Sequence, residues 1–210
     1  MTLAVLADEG LKQELLQKGV PEGVEVIWAD SLQSLLIIEA DVYMDLLFTM
    51  DLERISRLKR LTDKPVLVNA VVYTTKAIGA DIIRINAWQG MLQRPVIEAA
   101  VPAGKEMAVQ AVFDKLQWSY QVVPDVPGMI TARVLAMIIN EAFYTWGAQV
   151  SSREEIDIAM KLGTNYPMGP FEWSDKIGLP RVYELLHELS RTDERYKPAP
   201  ALEEEVRKAK

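Results

Sequence analysis

The chain has 210 residues, half of them hydrophobic and a quarter charged, with a formal net charge of −7. The absence of cysteine excludes disulfides, a thiolate nucleophile and cysteine-bound zinc or iron–sulfur sites, and a single histidine, His187, excludes multi-histidine metal sites. The acidic balance argues against a nucleic-acid partner, and no apolar run reaches the about 18 residues that a membrane span needs.

Leu3–Ala7 reads as a strand. It lacks the basic flank and cleavage pattern of a signal peptide, so a cytoplasmic protein is expected. Glu9–Lys18 has helical periodicity and stops at Gly19. Val24–Ala29 is a second strand, and Asp30 at its end is a candidate cap for a helix over Ser31–Leu36. Asp41–Phe48 is read as a third strand. Met50–Leu61 is read as an amphipathic helix with Leu52, Ile55, Leu58 and Leu61 on one face and Arg54, Arg57, Lys59 and Arg60 solvated. Asp45, Asp51 and Glu53 have no metal-ligand spacing, and no metal site is expected. Pro65–Asn69, Asp81–Asn86, Pro95–Val101 and Ser119–Val123 are further strands, with a helix at Lys105–Leu116. Strands alternating with helices predict an α/β fold with a mostly parallel sheet.

The pattern changes after Pro124. Pro127-Gly128 marks a turn. Ile130–Val150 is apolar nearly all round and is expected to be a buried helix. Ser152 to Glu155 is a capping box opening a helix that ends at Gly163. Pro180–Arg191 is amphipathic, with Val182, Leu185, Leu186 and Leu189 on one face and His187 off it. Trp118, Trp146 and Trp173 read as packing anchors, and the tail from Lys197 reads as loose. The expected organisation is a trimmed Rossmann-like domain over 1–122 followed by an all-α domain over 123–210.

The second half carries, in order, Val123-Pro124-Asp125-Val126-Pro127-Gly128-Met129-Ile130, Arg133-Val134-Leu135, Asn140-Glu141-Ala142, Glu155-Ile156-Asp157, Met160 with Gly163, Pro167-Met168-Gly169-Pro170-Phe171-Glu172, Asp175 and Gly178-Leu179. In these residues and their spacing it resembles the C-terminal domain of 3-hydroxyacyl-CoA dehydrogenases. More weakly, Ala40-Asp41-Val42-Tyr43-Met44 is similar to the family's A-D-L-V-I-E-A strand, and Ile97-Glu98-Ala99 to its V-E-V strand. The resemblance implies an NAD-binding Rossmann domain, a helical domain that forms a homodimer, an acyl-CoA ligand and a role in fatty-acid metabolism. It places the ribose-binding acid at Asp30 and the catalytic glutamate at Glu98.

Residue by residue, the chemistry departs from that pattern. A dinucleotide turn reads Gly-x-Gly-x-x-Gly, so that backbone can approach the pyrophosphate. Here the turn is Ala7-Asp8-Glu9-Gly10, with Gly10 as its one glycine and two carboxylates where a dianion would lie. The family's basic histidine stands in H-F-F-N-P, and its position is held by Asn86, whose amide takes up no proton near neutral pH. The serines of S-N-T-S-S correspond to Val71 and Val72, and the asparagine of P-G-F-I-x-N-R to Ala132. Only Ser31 to Ala40 fills the gap where the family has a long helical segment that helps hold CoA.

The expectation is therefore a truncated, degenerate family member that has lost most or all dehydrogenase activity and keeps a scaffold, dimerising or ligand-binding role. Two alternatives stay open. One is an active NAD-dependent enzyme with a rearranged site. The other is a non-catalytic subunit pairing with an active family member.

Overall fold

A computed structural model describes residues 1–61 and 63–209. The chain divides into two compact units, Met1–Met129 and Ile130–Lys210.

The first unit is built on a seven-stranded sheet: β1 (Thr2–Leu6), β2 (Glu25–Ala29), β3 (Val42–Asp45), β4 (Val66–Val68), β5 (Ile83–Ile85), β6 (Val96–Ala100) and β7 (Ser119–Val122). The strand order is β2-β1-β3-β4-β5-β6-β7, and every pairing is parallel except β5 with β6. The α/β, mostly parallel Rossmann-like class expected from the sequence is what the chain adopts.

Alternation along β1 explains the layering. Leu3 and Val5 face one core together with Leu11 and Leu15 of α1 (Glu9–Lys18). Val109, Val112, Phe113 and Leu116 of α5 (Glu106–Leu116) complete that layer. Ala4 and Leu6 face the other core, with Leu35 of α2 (Leu32–Ile37), Ile55 and Leu58 of α3 (Leu52–Leu58) and Ile78 of α4 (Thr75–Ile78). Strands covered on both faces are apolar at successive positions, which is why they read as runs.

Local expectations needed correcting here. The third strand spans only Val42–Asp45 of the anticipated 41–48, because Leu46 onward turns away after pairing its amide with Leu6. The cap of α2 is Ser31, not Asp30: Ser31 accepts from the Ser34 amide and Ser34 answers the Ser31 amide. Asp51 caps α3. The helix therefore starts at Leu52, which is 84% exposed rather than on the buried face. Arg54 is not simply solvated, since it reaches back to Asp45.

The second unit is helical: α6 (Thr131–Gly147), α7 (Arg153–Thr164), α8 (Pro170–Ile177), α9 (Leu179–Ser190) and α10 (Pro200–Lys208). Ser152 and Glu155 form the capping box of α7, and α9 buries Val182, Leu185, Leu186 and Leu189.

Helix α6 is not buried all round. Leu135, Ile139 and Phe143 are interior, but Val134 is 55% exposed. The segment after Lys197 is not loose. It forms α10, which buries Leu202 and Val206. The side chain of Asn140 fastens its start, donating to the Lys197 carbonyl at 2.9 Å and accepting from the Ala199 amide at 2.8 Å.

Candidate functional site

In open α/β sheets ligands lie outside the carboxyl ends of strands, where the strand order reverses. Here that point is between β1 and β3, since β2 lies on the other side of β1.

The groups around this edge are specific. Asp8 is the N-cap of α1 and its Oδ1 accepts from the Leu11 amide at 2.9 Å. Gly10 sits in the first turn, and a β-carbon built on it would stand 3.0 Å from Gln89 Nε2 and 3.5 Å from Asp8 Oδ1. Glu14, one turn further along α1, accepts from the Gly90 amide at 2.5 Å. Lys18, at the helix end, donates to the Arg94 carbonyl at 2.6 Å. The connection between β5 and β6 is thus fastened along α1, and its Trp88, Met91 and Leu92 are buried.

Glu98 and Asn86 lie at the same end of the sheet. The β5–β6 pair is antiparallel, so the start of β6 meets the end of β5. Asn86 Nδ2 donates to Glu98 Oε2 at 3.3 Å, and the Asn86 amide donates to the Glu98 carbonyl. Asn86 is 3% exposed. Asn69, after β4, donates from Nδ2 to the carbonyls of Leu46 and Ala87 and accepts from the Ala87 amide. These two amides stitch the strand ends together.

Asp45 closes β3 fully buried. Arg54 holds it from both sides, at 2.7 Å from Nε and 2.5 Å from Nη2, and the Leu47 amide adds 3.1 Å. Burial still outweighs these partners and pushes its carboxyl above the ordinary aspartate value.

Sequence reasoning missed Arg84. It lies on β5 with no exposure, donates from Nε to the Ala70 carbonyl at 2.9 Å, and pairs with Asp125. Burial pulls the guanidinium below its ordinary value, against the pull of Asp125. Burial pushes Asp125 up, but the Thr75 amide and hydroxyl together with Arg84 overcome it and hold the carboxyl below the usual range. The readable signal was an arginine between isoleucines in a strand.

The remaining positions are not gathered at this edge by any contact described. Asp30 is exposed beyond β2. Val71 is buried in the loop after β4, and Ala132 is buried in α6 of the other unit. His187 is exposed on α9, its ring 5.9 Å from that of Tyr183. Trp118 is buried and donates to the Gly19 carbonyl at 2.8 Å, while Trp146 packs with Phe143 and Phe171 under Arg153. Among the described residues no cluster of three or more histidine, aspartate or glutamate side chains could hold a metal ion, and no helix is long and apolar enough to cross a membrane.

Comparison with known proteins places the chain. The family profile for "3-hydroxyacyl-CoA dehydrogenase, C-terminal domain" matches residues 128–210. The 3-hydroxyadipyl-CoA dehydrogenase of Escherichia coli is 34% identical over 146 residues, 67% of this chain and 31% of that protein. The 3-hydroxybutyryl-CoA dehydrogenase of Bradyrhizobium diazoefficiens is 41% identical over 108 residues, 50% of this chain and 35% of that protein. The matched stretches thus span about a third of these relatives' length. Among solved structures, the (S)-3-hydroxybutyryl-CoA dehydrogenase of Ralstonia eutropha superposes with a TM-score of 0.75 at 19% identity, covering 99% of this chain and 94% of that one, which speaks for the fold. With a Rossmann-like sheet and the motif run from Val123 to Leu179 that leads from it into the helical unit, the chain belongs to the 3-hydroxyacyl-CoA dehydrogenase family.

Proposed function

We propose that this chain is a family member that has lost most or all NAD-dependent dehydrogenase activity and acts as a scaffold, dimerising or ligand-binding protein. The carrying observation is the Asn86–Glu98 pair. Oxidation of a 3-hydroxyl needs a group that accepts the hydroxyl proton as hydride departs. By resemblance Asn86 stands where the family keeps its imidazole, and a carboxamide has no basic lone pair for the task. Loss of a positioned base lowers rates by about 10²–10⁴. Glu98, which by resemblance would orient the imidazole, instead accepts a hydrogen bond from the amide. At the positions that by resemblance carry the family's serine and asparagine, Val71 and Ala132 have neither a hydroxyl nor a side-chain amide.

NAD is the cofactor the resemblance implies, and the β1–α1 turn does not fit it. The Asp8 carboxylate is bonded to the Leu11 amide, one of the donors that a pyrophosphate at this helix end would use.

The full chain is to be assayed at 340 nm with NAD and 3-hydroxybutyryl-CoA. Turnover at least about 10²-fold below an active family enzyme supports the proposal. Turnover at ordinary family rates would sink it and favour the rearranged-site enzyme.

Val134, Ile158 and Leu162 are apolar and more than half exposed on α6 and α7, which favours a homodimer through the helical unit or pairing with an active family member. Light scattering coupled to size exclusion should give twice the 23.6 kDa chain mass. A monomer at all concentrations argues against the homodimer.

A further inference from the structure

We infer that the chain closes its own dinucleotide position: the Asp8 carboxylate stands in for a phosphate on α1, and the segment between β5 and β6 is pinned across that helix end. This rests on the reading that the β1–β3 switch point is where the family's dinucleotide would lie.

Two independent features carry the closure. The first is electrostatic. The first-turn amides of a helix bear the positive end of its dipole and attract an anion. In this chain the anion is covalently present, since Asp8 Oδ1 lies 2.9 Å from the Leu11 amide. Glu9 adds a second negative charge in the same turn. A dianionic pyrophosphate would have to displace one carboxylate and approach another.

The second is steric. Close approach of a pyrophosphate needs the open space that glycine leaves. At Gly10 the chain's own Gln89 amide already comes within 3.0 Å of where a β-carbon would be. The backbone beside Gln89 is held, because Gly90 is bonded to the Glu14 carboxylate and Arg94 to Lys18. Two successive turns of α1, at Glu14 and Lys18, therefore hold this segment down. Clearing the turn requires swinging the Gln89 amide aside, on a backbone flanked by buried Trp88, Met91 and Leu92.

The closure is separable from the loss of the base, and two readouts test it. Titration of the full chain with NADH, followed by nucleotide fluorescence, should show no saturation up to about 1 mM. Saturable binding with a Kd below about 100 μM overturns the closure. Binding without turnover would do so while leaving the proposed loss of catalysis intact. Turnover without measurable burial of the nucleotide at this turn would do the reverse.

Amide hydrogen exchange reads the internal anion directly. The Leu11 amide should exchange about tenfold faster in Asp8→Ala than in the unsubstituted chain. Asp8→Asn, which keeps an accepting oxygen, should restore protection and guards against a poorly folding alanine variant. Unchanged Leu11 exchange in Asp8→Ala, or a slowing of it by NADH in the unsubstituted chain, counts against the proposal.

Discussion

Position 169 needs glycine for space rather than for backbone freedom. Gly169 precedes α8 with an ordinary negative φ, but a β-carbon built on it would overlap the Asp157 carboxyl group. That carboxylate accepts from the amides of Phe171 at 2.8 Å and Glu172 at 3.2 Å, so it satisfies the start of α8 from α7. Gly169→Ala should therefore push Asp157 off both amides and cost about 2–4 kcal/mol, read as a fall in thermal midpoint. A change within about 0.5 kcal/mol would show that Asp157 is not held there. Asp125 is the residue to watch with pH. Its folded value lies below that of an unfolded aspartate, so its stabilisation is complete above about pH 4 and fades as pH falls through the folded value. Melting temperatures from pH 6 to 3 should fall less steeply in Asp125→Asn than in the unsubstituted chain. Gly169, Asp157 and Asp125 stood in the sequence only as members of the family motif, and what they touch was not legible, because a carboxylate's partner is set by tertiary contact. Glu98 and Asn86 were legible only through the family motif.

Elements with their own terminal chemistry could be read directly. Helix α1 has Gly19 at its end, α7 has its capping box, and α9 has four leucine and valine positions at helical spacing. Elements that depend on a partner were misjudged. Helix α10 is short and rich in glutamate, and its two buried side chains, Leu202 and Val206, are too few for a clear periodic signal. What orders it is Asn140, far away in sequence. Leu202→Ala should cost about 2–5 kcal/mol, measured by chemical denaturation, which a loose tail would not show. A shift below about 0.5 kcal/mol would mean that α10 contributes little. The apolar circumference of α6 misled in the opposite direction. A helix that is apolar all round can be covered on one side only, leaving Val134 outside.

At the scale of the molecule, the alternation of strands and helices was enough for the sheet class and for the all-helical second half. The order of strands was not legible, and neither was the reversal of β6, since both follow from pairings between distant segments. The unit boundary also reflects such pairings. Val123 and Met129 are buried with Ala100, and the Gly128 amide donates to the Val71 carbonyl at 2.8 Å. The sheet unit therefore runs to Met129. The Arg84–Asp125 pair gives that boundary a meaning in time. A ribosome making this chain releases β5, with its arginine, about forty residues before the carboxylate that neutralises it. Until then the nascent sheet holds a cation whose one ion-pair partner, among the described contacts, is still unmade. A stalled chain ending at 116 should remain protease-sensitive, whereas one that exposes residue 129 outside the tunnel should become resistant in a single step.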